Sequence, residues 1–187
     1  MTATPKLINF AAFQLGWFAC VLGAAWGRPW LGTAIALAIV GWHLRCAPQP
    51  RAELALVLAA AGIGALWDSL LAALGWIEYP NGTLIAATAP HWMVALWMLF
   101  ATTLNSSLDW LKGKRWLAAG FGAVGGPLGY LAGERLGALA LVEPTAALIA
   151  LAGGWAVLAP LLSVIAQRIE GRPVSRAAGL RAKVNHA

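Results

Sequence analysis

Apolar residues form long runs along this chain, and short polar segments separate the runs. A helix needs about 20 apolar residues to cross a bilayer. The run at 30–44 is short, so it must recruit flanking residues or thin the bilayer locally. The pattern predicts an all-α fold, a single bundle of six transmembrane helices followed by a basic tail at residues 170–187. The predicted spans are residues 7–25, 30–44, 54–77, 89–110, 116–136 and 145–169.

Composition supports a membrane location. Of 187 residues, 60% are hydrophobic and only 11% are charged, whereas soluble domains carry about 25% charged residues. So much apolar surface exceeds what one small core can hide, and lipid is the simplest solvent for it.

The basic residues predict the orientation, because Lys and Arg accumulate on the cytoplasmic side of a membrane protein. With six spans, Arg28 and Arg135 fall on one side, and the other eleven of the thirteen basic residues fall on the opposite side. We therefore predict that both termini are cytoplasmic and that the protein is a multi-pass protein of the bacterial inner membrane. Many of the eleven tryptophans fall at the predicted interfaces, which indole prefers.

Glycine recurs every four residues in the fifth span, at Gly125, Gly129, Gly133 and Gly137. In lipid, small residues let two helix backbones approach closely, so this row predicts a helix contact. The row fits an internal contact and self-association of two copies equally well. Pro127 predicts a kink within the same helix.

Polar residues near the cytoplasmic side form a second pattern. Thr102, Asn105, Ser106 and Asp109 follow the spacing of one helix face. Such a face turns away from lipid, toward other helices or a water-filled cleft. With these four residues, the first two spans complete a candidate buried polar cluster by adding Asn9, Gln14 and His43. Hydrogen bonding between helices is the alternative role for these groups.

Asp68 lies within the third span, where an acidic side chain is costly and points to a function. Tyr130 and Arg135 are its candidate partners in the outer half of the bundle. An Asp68–Arg135 ion pair is one interpretation, and a protonatable acid used in transport or acid–base chemistry is the other.

The sequence gives little support for nucleic-acid binding, a metal or cofactor site, or catalysis. No run of basic and aromatic residues suggests nucleic-acid binding. Three scattered histidines and two separated cysteines predict no metal site, and no sequence signature predicts a cofactor. The acid–base candidates Asp68, Asp109 and His43 fall at different depths, which argues against an enzyme.

Three stretches carry a resemblance: NFAAFQLGW, HWMVALWMLFATTLNSSLDW and GGPLGYLAGERLGA. Together they resemble a family of small bacterial inner-membrane proteins classed as a domain of unknown function. The resemblance implies a membrane protein associated with enzymes that modify fatty acids and with the response to oxidative stress.

Three functional hypotheses follow. The first is a non-enzymatic accessory component in membrane-lipid homeostasis or stress response, with the bilayer and a membrane-lipid enzyme as partners. The second is a small carrier or permease that uses the buried polar cluster. The third is an intramembrane enzyme that modifies a lipid.

Overall fold

The computed structural model describes residues 3–170, and six long helices make up most of this range. The all-α class is therefore confirmed. Two short strands, β1 (Ile77–Glu78) and β2 (Ala140–Leu141), were not predicted, and they pair antiparallel. The predicted basic tail lies outside the described residues beyond position 170. The helices are α1 Ala3–Ala25, α2 Pro29–Cys46, α3 Pro50–Ala73, α4 His91–Leu104, α5 Arg115–Arg135 and α6 Pro144–Ile169.

Proline and glycine account for several helix ends. Pro29, Pro50 and Pro144 begin α2, α3 and α6. Proline suits the first turn because the amide it lacks would have no helical partner there. Gly75 adopts a left-handed conformation, with φ of 71°, two residues after α3 ends. This conformation stops the helix before Ile77, the last residue of the predicted third span.

The fourth helix ends at Leu104, six residues before the predicted end of its span. The amides of Ser106 and Leu108 both bond to the carbonyl of Thr103, which closes a turn, and a 3-10 helix follows at Asp109–Leu111. Asn and Ser side chains compete with helical backbone bonds, which favours such a turn. The single helical stripe through Thr102, Asn105, Ser106 and Asp109 is therefore wrong.

The helices pack in a connected bundle. α1 packs on α2, α3 on α4, and α5 on α6, while α4 also contacts α1 and α2. By contrast, α5 makes no extensive contact with α1 or α4. This separation leaves a gap on one side of the bundle.

On α5, the glycines that approach α6 most closely lie outside the predicted row. A Cβ atom on Gly122 would lie 2.2 Å from the Trp155 carbonyl oxygen, and one on Gly126 would lie 2.3 Å from the Trp155 ring. These two glycines let α5 approach α6 closely. A Cβ atom on Gly125 or Gly129 would meet nothing within 4 Å. Gly137 lies beyond the end of α5, with φ of 86°, so the predicted row does not continue along one helix.

Three helices are long and apolar enough to cross a membrane: Pro5–Ala25, Pro50–Ala73 and Pro144–Ile169. α4 is apolar but shorter. Large apolar side chains are exposed along the outside of the bundle, among them Leu15, Leu66 and Ile149. Exposed apolar side chains on helices of this length indicate a membrane protein.

Candidate functional site

Asp68 is completely buried, and three neutral donors surround its carboxylate. The Tyr79 and Tyr130 hydroxyls donate to Oδ1 over 2.7 and 2.5 Å. The Trp97 indole N–H donates to Oδ2 over 2.7 Å. Hydrogen bonds to a carboxylate are stronger than bonds between neutral groups, so these donors compensate much of the cost of burying the acid.

The Asp68–Arg135 ion pair, one of the two interpretations of this acid, does not form. Arg135 is exposed at the end of α5, and two tyrosines and a tryptophan fill the hydrogen-bonding positions at Asp68. Tyr130, the other predicted partner, does contact the acid. An arginine at the end of a helix can extend its charged group into water more easily than toward the centre of the bundle.

Gly64 makes room for one of the donors. It lies one helical turn before Asp68 on α3, and a Cβ atom there would fall 2.0 Å from the Trp97 ring. Without a side chain at this position, the indole lies flat against α3 and its N–H reaches Asp68. Trp97 also stacks on Trp155 of α6, with ring centroids 4.6 Å apart.

Tyr79 comes from the connection between α3 and α4, which folds back onto the bundle. The Asn81 side chain donates to the Ala24 carbonyl, and the Trp92 indole donates to the Asn81 carbonyl. Burial, and then the nearby Asp68 carboxylate, hold the pKa of Tyr79 well above its usual range. The phenol therefore keeps the proton that it donates to Asp68.

A cleft of about 330 Å³ occupies the gap between α5 and the pair α1 and α4. This volume is typical of small-molecule sites. Aromatic side chains of α1 and α4 form one wall, and the glycines of α5 form the other. Tyr130 and Trp97 line the cleft, and both donate hydrogen bonds to Asp68. Asp68 itself does not line the cleft but contacts two residues of its wall. Other lining residues include Phe13, Trp17, Phe100, Gly125, Gly129 and Trp155.

The cleft is long and mostly apolar. On α1 it extends from Phe10 to Val21, which is about 16 Å at the helical rise of about 1.5 Å per residue. A few polar side chains line it, among them Gln14, Thr103 and Ser107. Among residues 3–170, no Lys, Arg, Asp or Glu lines the cleft, so these residues give it no charge to match a charged ligand.

The seven residues of the predicted polar cluster do not form one site. Asn9 is buried and links α1 to the end of α4: its amide donates to the Thr102 carbonyl, and its oxygen accepts from the Ser107 hydroxyl over 2.8 Å. The Thr102 hydroxyl bonds within its own helix. Ser106 is buried, and Gln14 faces the cleft.

A second part of the predicted cluster forms around Glu53, which was not among the predicted residues. His43 Nε2 lies 3.1 Å from Glu53 Oε2, and the Asn105 amide donates to Oε1 over 2.8 Å. One signal was available, because the short connection between α2 and α3 brings His43 and Glu53 together. For Tyr79 the sequence offered no such indication, because no pattern of neighbouring residues shows that its loop folds back toward Asp68.

Asp109 lies apart from both groups, in an ion-pair network near the end of the bundle. Lys112 Nζ lies 3.0 Å from Asp109 and 2.9 Å from Glu170, and Lys6 lies 4.0 Å from Asp109. Asp68, His43 and Asp109 thus have separate partners. Within residues 3–170, His, Cys, Asp and Glu side chains do not gather in threes, so no metal centre is assigned there.

Sequence comparison gives the relationship of the chain. The family described as "Protein of unknown function (DUF2878)" matches residues 6–161, which include the three donors, Asp68 and the glycine wall of the cleft. The chain belongs to this family. No curated protein and no solved structure matches it. The family assignment thus carries no activity, and the chemistry of the site has to be argued from its geometry.

Proposed function

We propose that the protein binds one hydrocarbon chain of a membrane lipid in the cleft between α1, α4 and α5, as a non-enzymatic component of membrane-lipid homeostasis. The observation that carries this proposal is an elongated, uncharged cleft walled by aromatic rings on one side and by bare glycines on the other. Glycine lets a chain lie against the helix backbone, and aromatic rings offer broad apolar surface.

The length of the cleft supports a hydrocarbon chain as the occupant. The hydrocarbon core of a bilayer is about 30 Å thick, so a chain in one leaflet extends over about half that distance. The cleft is of similar length. Phe10 and Leu15 on α1, and Val124 and Leu128 on α5, expose apolar side chains beside it. The cleft is thus continuous with a lipid-facing surface, and a chain can enter it sideways from the bilayer.

The membrane arrangement is part of the same proposal. We propose that all six helices take part in crossing the bacterial inner membrane, with both termini cytoplasmic. The distribution of eleven basic residues against two supports this orientation. Reporter fusions at Asn81 and Lys112 should fall in opposite compartments. Fusions that report the same compartment would refute the arrangement.

Photolabelling tests the lipid proposal. The protein, reconstituted in vesicles that contain a phospholipid with a diazirine in one acyl chain, should be labelled on the cleft wall, at residues such as Phe13 and Phe100. Gly129→Leu fills the cleft, since nothing now lies within 4 Å of a Cβ atom there, and should reduce this labelling several-fold.

A matched control lies on the same helix. Gly120 also has open space beside it but does not line the cleft, so Gly120→Leu should leave labelling unchanged. Equal labelling of all outward-facing residues, unaffected by Gly129→Leu, would refute the proposal. Crosslinks between two copies through Gly125 and Gly129 would instead show that the glycine wall is a dimer contact.

A further inference from the structure

The two ends of the cleft differ in how far they are covered. At one end, which we call the closed end, the lining side chains of Val21, Trp92 and Leu139 are all buried. At the other, the open end, Phe10 and Phe121 line the cleft and are 51% and 41% exposed. A chain that lies in the cleft therefore meets a barrier in one direction only.

The connection between α5 and α6 forms the barrier at the closed end. A Cβ atom on Gly137 would lie 3.8 Å from the Cβ atom of Ala25, so this connection reaches the last residue of α1 and closes the gap there. Leu139 follows in the same connection and lies against Gly133 of α5, where a Cβ atom would fall 3.3 Å from the Leu139 Cδ2 atom. Both residues line the cleft, so the Leu139 side chain forms part of its end.

Hydrogen bonds on both sides of Leu139 hold this connection in place. The Ala138 amide donates to the Gly133 carbonyl over 2.9 Å, and the Leu141 amide donates to the Glu134 carboxylate over 3.0 Å. The strand β2, which contains Leu141, also pairs with β1. A barrier fixed in this way stops a chain at a defined depth in the bundle.

Charged side chains lie beyond the open end. Lys6 precedes Phe10 by one helical turn on α1, and its Nζ atom lies 4.0 Å from Asp109. Lys112 bonds to Asp109 and to Glu170 at the same end of the bundle. Ionised groups need water or lipid headgroups around them, so this end of the bundle belongs at the polar boundary of the bilayer. A lipid headgroup has room there without entering the apolar part of the cleft.

We infer that the cleft takes up its hydrocarbon chain in one direction, with the terminal methyl group against Leu139 and the headgroup outside the open end, at the level of Lys6. This inference rests on the proposed function, and it names the leaflet that supplies the lipid and the residue that limits the chain length. In the proposed membrane arrangement the N-terminus is cytoplasmic, so the lipid comes from the cytoplasmic leaflet. The opposite direction would place an ester among buried apolar side chains, which is unfavourable.

The same geometry limits the length of the chain. The ester stays at the polar boundary, because its burial without a hydrogen-bond donor costs free energy, and the other end of the chain stops at Leu139. A chain that matches the distance between these two points lies straight in the cleft. A longer chain has to bend out of the cleft toward the bilayer, where it loses contact with the aromatic wall. Leu139 is therefore the residue that determines specificity for chain length.

Two photoreactive phospholipids test the direction. Both carry the same acyl chain, with the diazirine near the methyl end in one and near the ester in the other, and each is incorporated into vesicles of the same composition. The methyl-end probe should label Val21 and Leu139, and the ester-end probe should label Phe10 and Phe121. Val21 and Leu139 are buried, so labelling there reports a chain inside the cleft and not the surrounding lipid.

Leu139→Ala tests the length limit. Single-chain phospholipids of increasing chain length compete with the methyl-end probe for the protein in detergent micelles. In the unmodified protein, competition should rise with chain length and then fall several-fold once the chain exceeds the cleft. Alanine removes part of the barrier, so the optimum should move to a longer chain. An unchanged optimum in the folded variant would overturn the role of Leu139.

Leu141→Ala is the matched control. Leu141 lies in the same connection and is also buried, but it does not line the cleft. This variant should lower the melting temperature about as much as Leu139→Ala and leave the preferred chain length unchanged. An equal shift of the optimum in both variants would show that a loosened connection, and not the Leu139 side chain, sets the limit.

The possible failures are distinct. A reversed labelling pattern, or one pattern shared by both probes, would overturn the inferred direction and leave the proposed function standing. This comparison uses the unmodified protein, so it decides the direction even if Leu139→Ala does not fold. Absence of labelling at every cleft residue by both probes would refute the proposed function itself.

Discussion

Two buried carboxylates hold the helices together in different ways. Asp68 is fully buried in the bundle and has three neutral donors around it. Glu53 lies in the first turn of the same helix, with His43 and Asn105 as partners and Lys112 close enough to attract it. One acid is thus compensated by neutral donors alone, and the other by an imidazole, an amide and the attraction of a lysine.

The difference follows from access to water. The side chains of His43 and Glu53 retain 13% and 7% exposure, so water can take over part of the compensation when a partner is lost. Asp68 has no access to water, so the protein has to supply every donor to its carboxyl group. Asp68 should therefore be the less tolerant of substitution, and its site has the geometry to orient groups on the cleft wall.

Asp68→Ala is expected to have the largest effect. It leaves three buried donors without an acceptor, each at roughly 1–3 kcal/mol, so we expect a loss of at least about 3 kcal/mol in the free energy of unfolding. Thermal unfolding in detergent micelles measures it. Asp68→Asn should cost less, because its oxygen still accepts from both tyrosines. A melting temperature unchanged by Asp68→Ala would show that water enters the site.

Gly64→Ala tests the same site by steric means. The added Cβ atom would fall 2.0 Å from the Trp97 ring, and overpacking of this kind costs about 1–3 kcal/mol. Displacement of the indole should also weaken its bond to Asp68. Gly62→Ala is the control, since nothing lies within 4 Å of that position on the same helix. Equal melting temperatures for both variants would contradict this account of Trp97.

Glu53→Ala should have a smaller effect than Asp68→Ala. His43 and Asn105 both lose their partner, but they lie near the end of the bundle, so we expect about 1–2 kcal/mol. The measurement is again thermal unfolding in micelles, with Glu53→Gln as the milder control because it keeps an acceptor for Asn105. A loss as large as that of Asp68→Ala would remove the proposed distinction between the two acids.

Asn105→Leu should have the smallest effect. It removes one hydrogen bond to Glu53 but also removes a buried oxygen that has no partner. The two contributions offset each other, and we expect a change below about 1 kcal/mol. Melting temperature and membrane insertion should both stay close to those of the unmodified protein. A large loss would indicate that the Asn105 oxygen has a partner, such as a buried water.

Much of this architecture could be predicted from the chain. The apolar runs predicted six helices, and the cost of an acid in an apolar environment directed attention to Asp68. Tyr130 was a candidate partner because it lies at a similar depth. The error at Arg135 came from expecting a charge to be paired with a charge, where the protein uses three neutral donors instead.

Two kinds of feature were harder to predict. The prediction of a polar helix face beyond Thr102 was wrong because a local turn at Asn105 ends the helix. The residues after that turn no longer follow helical spacing. The predicted glycine row did not identify the close contact of α5 with α6: Gly122 and Gly126 lie against Trp155, whereas Gly125 and Gly129 have open space beside them. Both sets recur at helical spacing, and spacing alone does not show which set has a neighbour.

The sequence by itself determined the number of long helices and the presence of a buried acid, because both depend on hydrophobicity within short segments. Only the tertiary structure decided which donors reach Asp68 and that a gap opens between α1 and α5. Tyr79, Trp97 and Tyr130 come from three separate parts of the chain. Their meeting depends on how whole helices and one folded loop pack, and no local pattern encodes that packing.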